Sequence, residues 1–200
     1  MIGRAVLAKT WAPSFESEVP ANAPMKIETE RLEPSTAAPA DAEVLVKLFA
    51  VPEVPRFLPA GPTGTLDRAK NVVERRITSE AERGYSLMIV RTKRAHEFIG
   101  NAGLQPIPNT PEIGIAYHYL PSFWGHGYGT EAAIAVLRHG LGSLGLDRII
   151  AICVAENVAS WRVMEKAGMR YAGLASYYGL DGLKKYVAEH EHWRAPQRKR

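Results

Sequence analysis

The segment Trp124-Gly-His-Gly-Tyr-Gly-Thr-Glu131 constrains the fold more than any other stretch of the chain. Three glycines at alternate positions disfavour the interior of a helix or a strand. Before them, Glu112 to Leu120 reads as a strand. After them, Ala133, Val136, Leu137, Gly140, Leu141 and Leu144 recur at helical spacing. The segment is therefore a strand-to-helix connection whose backbone N–H groups converge at the positive end of a helix dipole, a cradle for an anion. Next comes Arg148 to Ala155, continuously apolar after its first residue, as in a strand buried on both faces. A helix over Val158–Ala167 follows, stopped by Gly168. The second half of the chain therefore alternates strand and helix.

The rest of the chain fits around that half. A first strand is predicted over Lys26–Glu33, ended by Pro34. Helices are predicted over Asp41–Ala50 and Leu66–Arg83, separated by a proline-rich loop. Strands are predicted over Tyr85–Thr92 and Glu97–Leu104. The last two strands, Tyr171–Tyr178 and Leu183–Trp193, are expected to turn at Asp181-Gly182. Residues 1–24, with three prolines and no sustained period, read as an extension, and 194–200 as a basic tail. The domain proper is expected over 25–193.

Composition removes several function classes. Hydrophobic residues are 46% and charged residues 23% of the 200, which excludes a disordered chain. The longest apolar run, Ile149 to Ala155, falls far short of the ~20 residues of a membrane helix. A single cysteine, Cys153, excludes an internal disulfide and fits a reducing, cytoplasmic compartment. Of the 25 basic residues, four (Arg194, Arg198, Lys199 and Arg200) lie in the last seven positions. Taking those four from 25 leaves 21 basic against 21 acidic residues, so the body carries no basic face for nucleic acid. Cys153 reads as core packing. His190 and His192, alternating with Glu189 and Glu191 on a predicted strand, find no partner cluster at zinc-ligand spacing, so no metal is expected.

The glycine loop alone leaves several ligands open. A P-loop needs Gly-Lys-Ser/Thr, and this loop ends Gly129-Thr130-Glu131. A dinucleotide fold needs G-x-G-x-x-G with an acidic residue after the next strand, and Asp147 precedes its strand. A tight turn with no ligand remains open on the same residues. Asn157, at the head of the last helix, reads as an N-cap in its plainest role.

Several stretches together resemble the GNAT superfamily of N-acetyltransferases, in the branch that includes the ribosomal-protein N-terminal (alanine/serine) acetyltransferases. They are Thr29-Glu-Arg-Leu32, Glu97-Phe-Ile-Gly100, Ile115-Ala-Tyr-His-Tyr-Leu-Pro121, Phe123 to Ala132, Leu146-Asp-Arg-Ile149, and Glu156-Asn-Val-Ala-Ser160 through Glu165-Lys-Ala-Gly-Met169. The resemblance spans residues 26–193. It implies an α/β (α+β) fold: a mixed, mostly antiparallel central sheet of about seven strands flanked by about four helices. The fourth and fifth strands would splay apart. It implies acetyl-CoA as co-substrate, with its arm in the splay. Backbone groups of Tyr119 and Leu120 would pair with the arm. N–H groups of Gly125, His126, Gly127, Tyr128, Gly129 and Thr130 would hold the pyrophosphate, and Trp124 would belong to the same cofactor site. Asn157 would contact the pantetheine, and Ser160 would face the sulfur.

The chain also departs from that pattern. A tyrosine that many members carry on the last helix is replaced by Met164, so any side-chain acid role falls to Ser160. A glutamate frequent on the fourth strand is replaced by Gly114. Glu112, two residues earlier and on the same strand face, is the first candidate for a general base, and Glu97 the second. The activity implied is acetyl transfer to a primary amine, by direct attack in a ternary complex. The acceptor is a protein N-terminus or a small molecule such as an antibiotic, a polyamine or an amino acid. A non-catalytic acyl-CoA-binding module, and a protein that recruits a ribosomal or RNA partner through its basic tail, stay open as alternatives. So does a homodimer. No membrane partner is expected.

Overall fold

The computed structural model describes residues 27–58 and 64–196. The expected extension over 1–24 and the last four residues of the expected tail lie outside the described residues. The strands are β1 (Leu32–Ser35), β2 (Leu87–Thr92), β3 (Phe98–Pro106), β4 (Ile113–Tyr119), β5 (Arg148–Cys153), β6 (Arg170–Tyr177) and β7 (Leu180–Glu189). The α-helices are α1 (Ala42–Ala50), α2 (Leu66–Arg83), α3 (Tyr128–Arg138) and α4 (Val158–Lys166). One seven-stranded sheet runs β1-β2-β3-β4-β5-β7-β6. All its pairs are antiparallel except β4 with β5. The expected mixed, mostly antiparallel sheet is therefore present.

The helices divide between the two faces. α3 and α4 cover one face through Ala133, Val136, Leu137, Met164 and Ala167, which meet Met88, Leu104, Ile115, Ile149, Ala151 and Tyr186. α1 and α2 cover the other face over the first half of the sheet, where Leu45, Leu48, Phe49, Ala69 and Val73 enclose Ile89. Each helix end has a local cause. Thr65 accepts the Arg68 N–H to start α2, and Gly84 in the left-handed region closes it on the Glu80 carbonyl. Beyond α3 the chain widens into a π-helical turn, His139–Ser143.

Three expectations need correction. The first strand starts later and includes Pro34, which an edge strand tolerates because its outer side needs no N–H donor. The last hairpin turns at Tyr178-Gly179, both with positive φ (57° and 75°), which suits a type I′ turn. Asp181 and Gly182 lie inside β7. Finally, β7 ends at Glu189, so His190 and His192 occupy a turn and do not share a strand face. Trp193 then folds back and donates its indole N–H to the Ala167 carbonyl at 2.9 Å. Arg194 and Pro196 lie over Gly168, so the start of the expected tail touches the domain.

Candidate active site

The site is built on the seam between β4 and β5. These parallel strands share a single register pair, Gly114 with Ile150, and then part. Leu120 donates its N–H to Ile99 on β3. By the two-residue alternation of an antiparallel ladder, Tyr117 and Tyr119 turn their backbone N–H and C=O toward the opened seam. This corrects the expectation for Leu120, whose N–H faces β3. Tyr119 does face the seam, but its carbonyl accepts the Trp124 indole N–H at 2.7 Å. Trp124, half exposed, thus staples the glycine loop to the end of β4.

At the open end of the seam lies the loop. Gly125 and Gly127 both have φ +80°, a conformation that a side chain would strain. The first backbone bond into α3 runs from the Glu131 N–H to the Gly127 carbonyl. The amides of Tyr128, Gly129 and Thr130 therefore precede any intrahelical acceptor. Space above Gly125 is clear to 4 Å, and a Cβ on Gly127 would meet only the Arg31 guanidinium, at 3.5 Å. Open backbone donors beside a guanidinium fit a diphosphate well.

Sequence reasoning missed Arg31. Its Nε donates to Glu131 at 2.7 Å, its backbone N–H to the same carboxylate at 2.7 Å, and its Nη1 to the His126 carbonyl at 3.0 Å. The guanidinium also lies 4.6 Å above the Tyr128 ring, which stacks on His126. One arginine thus ties β1 to the loop and to the first turn of α3. The signal lay in two separate stretches, Thr29-Glu-Arg-Leu32 and Gly129-Thr-Glu131, where Arg31 and Glu131 carry opposite charges.

The other wall is α4. Asn157 caps it, its side-chain oxygen accepting the Ser160 N–H at 3.2 Å. Ser160 in turn meets a second missed residue, Tyr117. The Tyr117 hydroxyl donates to the Ser160 carbonyl at 2.9 Å and lies 3.3 Å from Ser160 Oγ. Burial pushes the Tyr117 pKa well above that of a free phenol, so it stays neutral. Cys153, half-buried on β5, is the neighbouring thiol. Burial raises its pKa, while Lys184 and a Ser160 hydrogen bond draw it back. Met164 is buried one helical turn beyond Ser160.

Glu112 lies at the opposite, closed end. Its carboxylate accepts hydrogen bonds from the Tyr177 hydroxyl and from Lys185 Nζ (2.7 Å), with Arg148 at 3.6 Å. Burial opposes its ionisation, but these partners outweigh it and hold its pKa below the ordinary value. Glu97 precedes β3, and its carbonyl accepts the Thr92 N–H. His118, on the sheet face under α1, packs edge-on against Phe49 and bonds Asn101 through Nδ1 at 2.8 Å. Burial, then Arg76, lower its pKa to about 4.

The profile of the acetyltransferase (GNAT) domain matches residues 31–170, which include the seam, the loop and α4. The chain belongs to the GNAT acetyltransferase family. As a GNAT chain it is an acetyl-transferring enzyme that uses acetyl-CoA. The uncharacterized protein YkkB of Bacillus subtilis is 33% identical over 156 residues, which cover 76% of this chain and 88% of YkkB. A GNAT acetyltransferase structure from Bacillus anthracis superposes with TM-score 0.71 at 26% identity, covering 84% of this chain and all of that one. The ribosomal-protein-S5-alanine acetyltransferase of Vibrio fischeri shares the fold, with TM-score 0.69 at 17% identity over 86% of this chain and 100% of its own. Among the described residues, no helix is long and apolar enough to cross a membrane.

Proposed function

We propose that this GNAT enzyme is an N-acetyltransferase that moves the acetyl group of acetyl-CoA to a primary amine by direct attack in a ternary complex. The observation that carries the reading is the seam, joined at one pair and opening onto a glycine cradle. The pantetheine amides would pair with the seam-facing backbone of Tyr117 and Tyr119, like an added strand. The amides from Gly125 to Thr130 would take the pyrophosphate, with Arg31 at the rim. Asn157 would hold the start of α4, so that Ser160 faces the sulfur. A seam-facing N–H of β4 would polarise the thioester carbonyl.

A neutral amine forms the C–N bond while the C–S bond breaks. Its excess proton leaves through water, and the thiolate departs beside the Ser160 hydroxyl. Glu112 is already committed to Lys185, Tyr177 and Arg148, so we assign it to holding the closed end of the seam and leave deprotonation to water. That favours an amine that is neutral without help. An α-amino group with pKa near 7.8 needs about 3.5 kcal/mol less than a lysine near 10.4. A protein or peptide N-terminus is therefore the first acceptor to test. The single half-buried cysteine suits a cytoplasmic enzyme.

The test couples acetyl-CoA calorimetry with free-thiol release across an amine panel: peptides starting with alanine or serine, polyamines, aminoglycosides and amino acids. Binding with turnover of an α-amine supports the reading in full. Binding without turnover on any amine would replace it by a non-catalytic acyl-CoA module. No binding would sink it.

A further inference from the structure

A partly buried phenol on β4 reaches across the seam to the helix on the other side. Tyr117 and Tyr119 share one face of β4, yet they end differently. Tyr119 Oη is buried with no hydrogen-bond partner, whereas Tyr117 Oη meets two atoms of Ser160. A phenol has one proton to give. At 2.9 Å that proton goes to the Ser160 carbonyl, which leaves the Tyr117 oxygen as acceptor for the Ser160 hydroxyl. The second contact, at 3.3 Å, is long for an O–H···O bond, whose usual distance is about 2.7–2.8 Å. A long bond fixes a rotamer and yields readily to a stronger acceptor. An anionic sulfur in the seam is such an acceptor, because charge-assisted bonds are roughly twice as strong as neutral ones.

We propose that Tyr117 is a positioning residue that holds the Ser160 hydroxyl at the seam, ready to donate to the departing thiolate of CoA. The inference rests on the acetyl-CoA reading above. Tyr117 acts through Ser160 and transfers no proton itself. Its own acidity is suppressed by burial, so the pair remains a donor chain in which only the serine turns. The titratable groups around this pair are Cys153 on β5, which bonds Ser160, Lys184 on β7, which pulls on Cys153, and Tyr119 beside Tyr117 on β4. All three are unchanged in the variants below.

The experiment needs no acceptor amine. Affinities for CoA and for desulfo-CoA, which lacks the thiol, are measured by calorimetry below and above the ordinary thiol pKa near 8.5. The wild type should prefer CoA over desulfo-CoA on the alkaline side and lose most of that preference on the acid side. Tyr117→Phe, which deletes one oxygen, should cut the alkaline preference at least threefold and leave desulfo-CoA binding unchanged. Ser160→Ala should do the same, and the double variant should go no further. Full preference in Tyr117→Phe overturns the proposal, and so does a double variant much worse than Ser160→Ala, because Tyr117 would then act on its own. If neither ligand binds the wild type, the acetyl-CoA reading fails first and takes this inference with it.

Discussion

The two ends of the β4–β5 seam are made of the same two strands and behave in opposite ways. At the closed end, Gly114 pairs with Ile150, and the missing side chain of Gly114 admits Ile107, whose Cδ1 would lie 2.5 Å from a Cβ there. Glu112 then draws in Lys185 from β7, Tyr177 from β6 and Arg148 from β5. At the open end, Tyr117 and Tyr119 stand against α4 and the glycine loop, and the strands have no further register pair. The lesson is that a binding cleft in a sheet needs an anchor as much as a gap. Strand edges left open for a ligand keep their separation because packed and charged groups close the other end.

The largest expected effects belong to the open end. Ser160→Ala should lower kcat by roughly 10-fold to 100-fold, at or below the low end for general acid catalysis, because a thiolate leaves with little help. Steady-state kinetics with saturating acetyl-CoA and a responsive peptide read this directly. A fully active variant would break the functional half of the comparison, since nothing at the open end would then touch the chemistry.

Gly127→Val comes next. The residue has φ +80° and sits beside the Arg31 guanidinium, so a branched side chain strains the loop and enters the cradle. Acetyl-CoA affinity should fall at least tenfold, about 1.4 kcal/mol. Unchanged affinity in a folded variant would move the pyrophosphate away from this loop.

Much of this contrast was legible in the sequence, though unequally. The glycine loop, the apolar strand β5 and the Asn157 cap are local, so spacing and cap chemistry exposed them. The expected bounds of α2, Leu66 to Arg83, came from apolar spacing and agree with the caps the structure shows at Thr65 and Gly84. The seam-side contact of Tyr117 and the loop contacts of Arg31 were hidden, because each depends on a partner far along the chain, Ser160 and Glu131 respectively. Glu112 shows the same limit. Its strand face was predictable, but the lysine and tyrosine that engage it come from β7 and β6. The Asp181-Gly182 turn misled because the dipeptide favours a hairpin, while the register of β6 on β7 places the turn three residues earlier.

A smaller effect tests the closed end. Glu112→Gln keeps the shape and removes the charge, leaving Lys185 and Arg148 with a weaker acceptor. Stability should drop by about 1–2 kcal/mol, in the range for losing charged hydrogen bonds, while kcat with an α-amine changes little. The same group has a pH signature. Its folded pKa lies below the ordinary carboxylate value, so its contribution is complete above about pH 4.3 and fades as pH falls through the lowered pKa. Acid unfolding should thus be less steep in Glu112→Gln than in the wild type. If the variant instead loses activity a hundredfold with unchanged stability, Glu112 is the base and the anchor interpretation is wrong.

The smallest effect is the control that sharpens the open end. Met164 lies four residues beyond Ser160, on the same side of α4, and is buried against the sheet. Met164→Leu conserves volume and removes no hydrogen-bond donor, so it should cost less than about 1.5 kcal/mol of stability and leave kcat essentially unchanged. Ser160 and Met164 are then separated by one helical turn and by their chemistry: one faces the seam, the other fills the core. Measuring kcat and Tm on both variants tests that boundary. If Met164→Leu damages kcat as much as Ser160→Ala, the reacting sulfur lies a turn deeper along α4 than the seam geometry implies. Tyr117 would then be holding a serine that the reaction does not use.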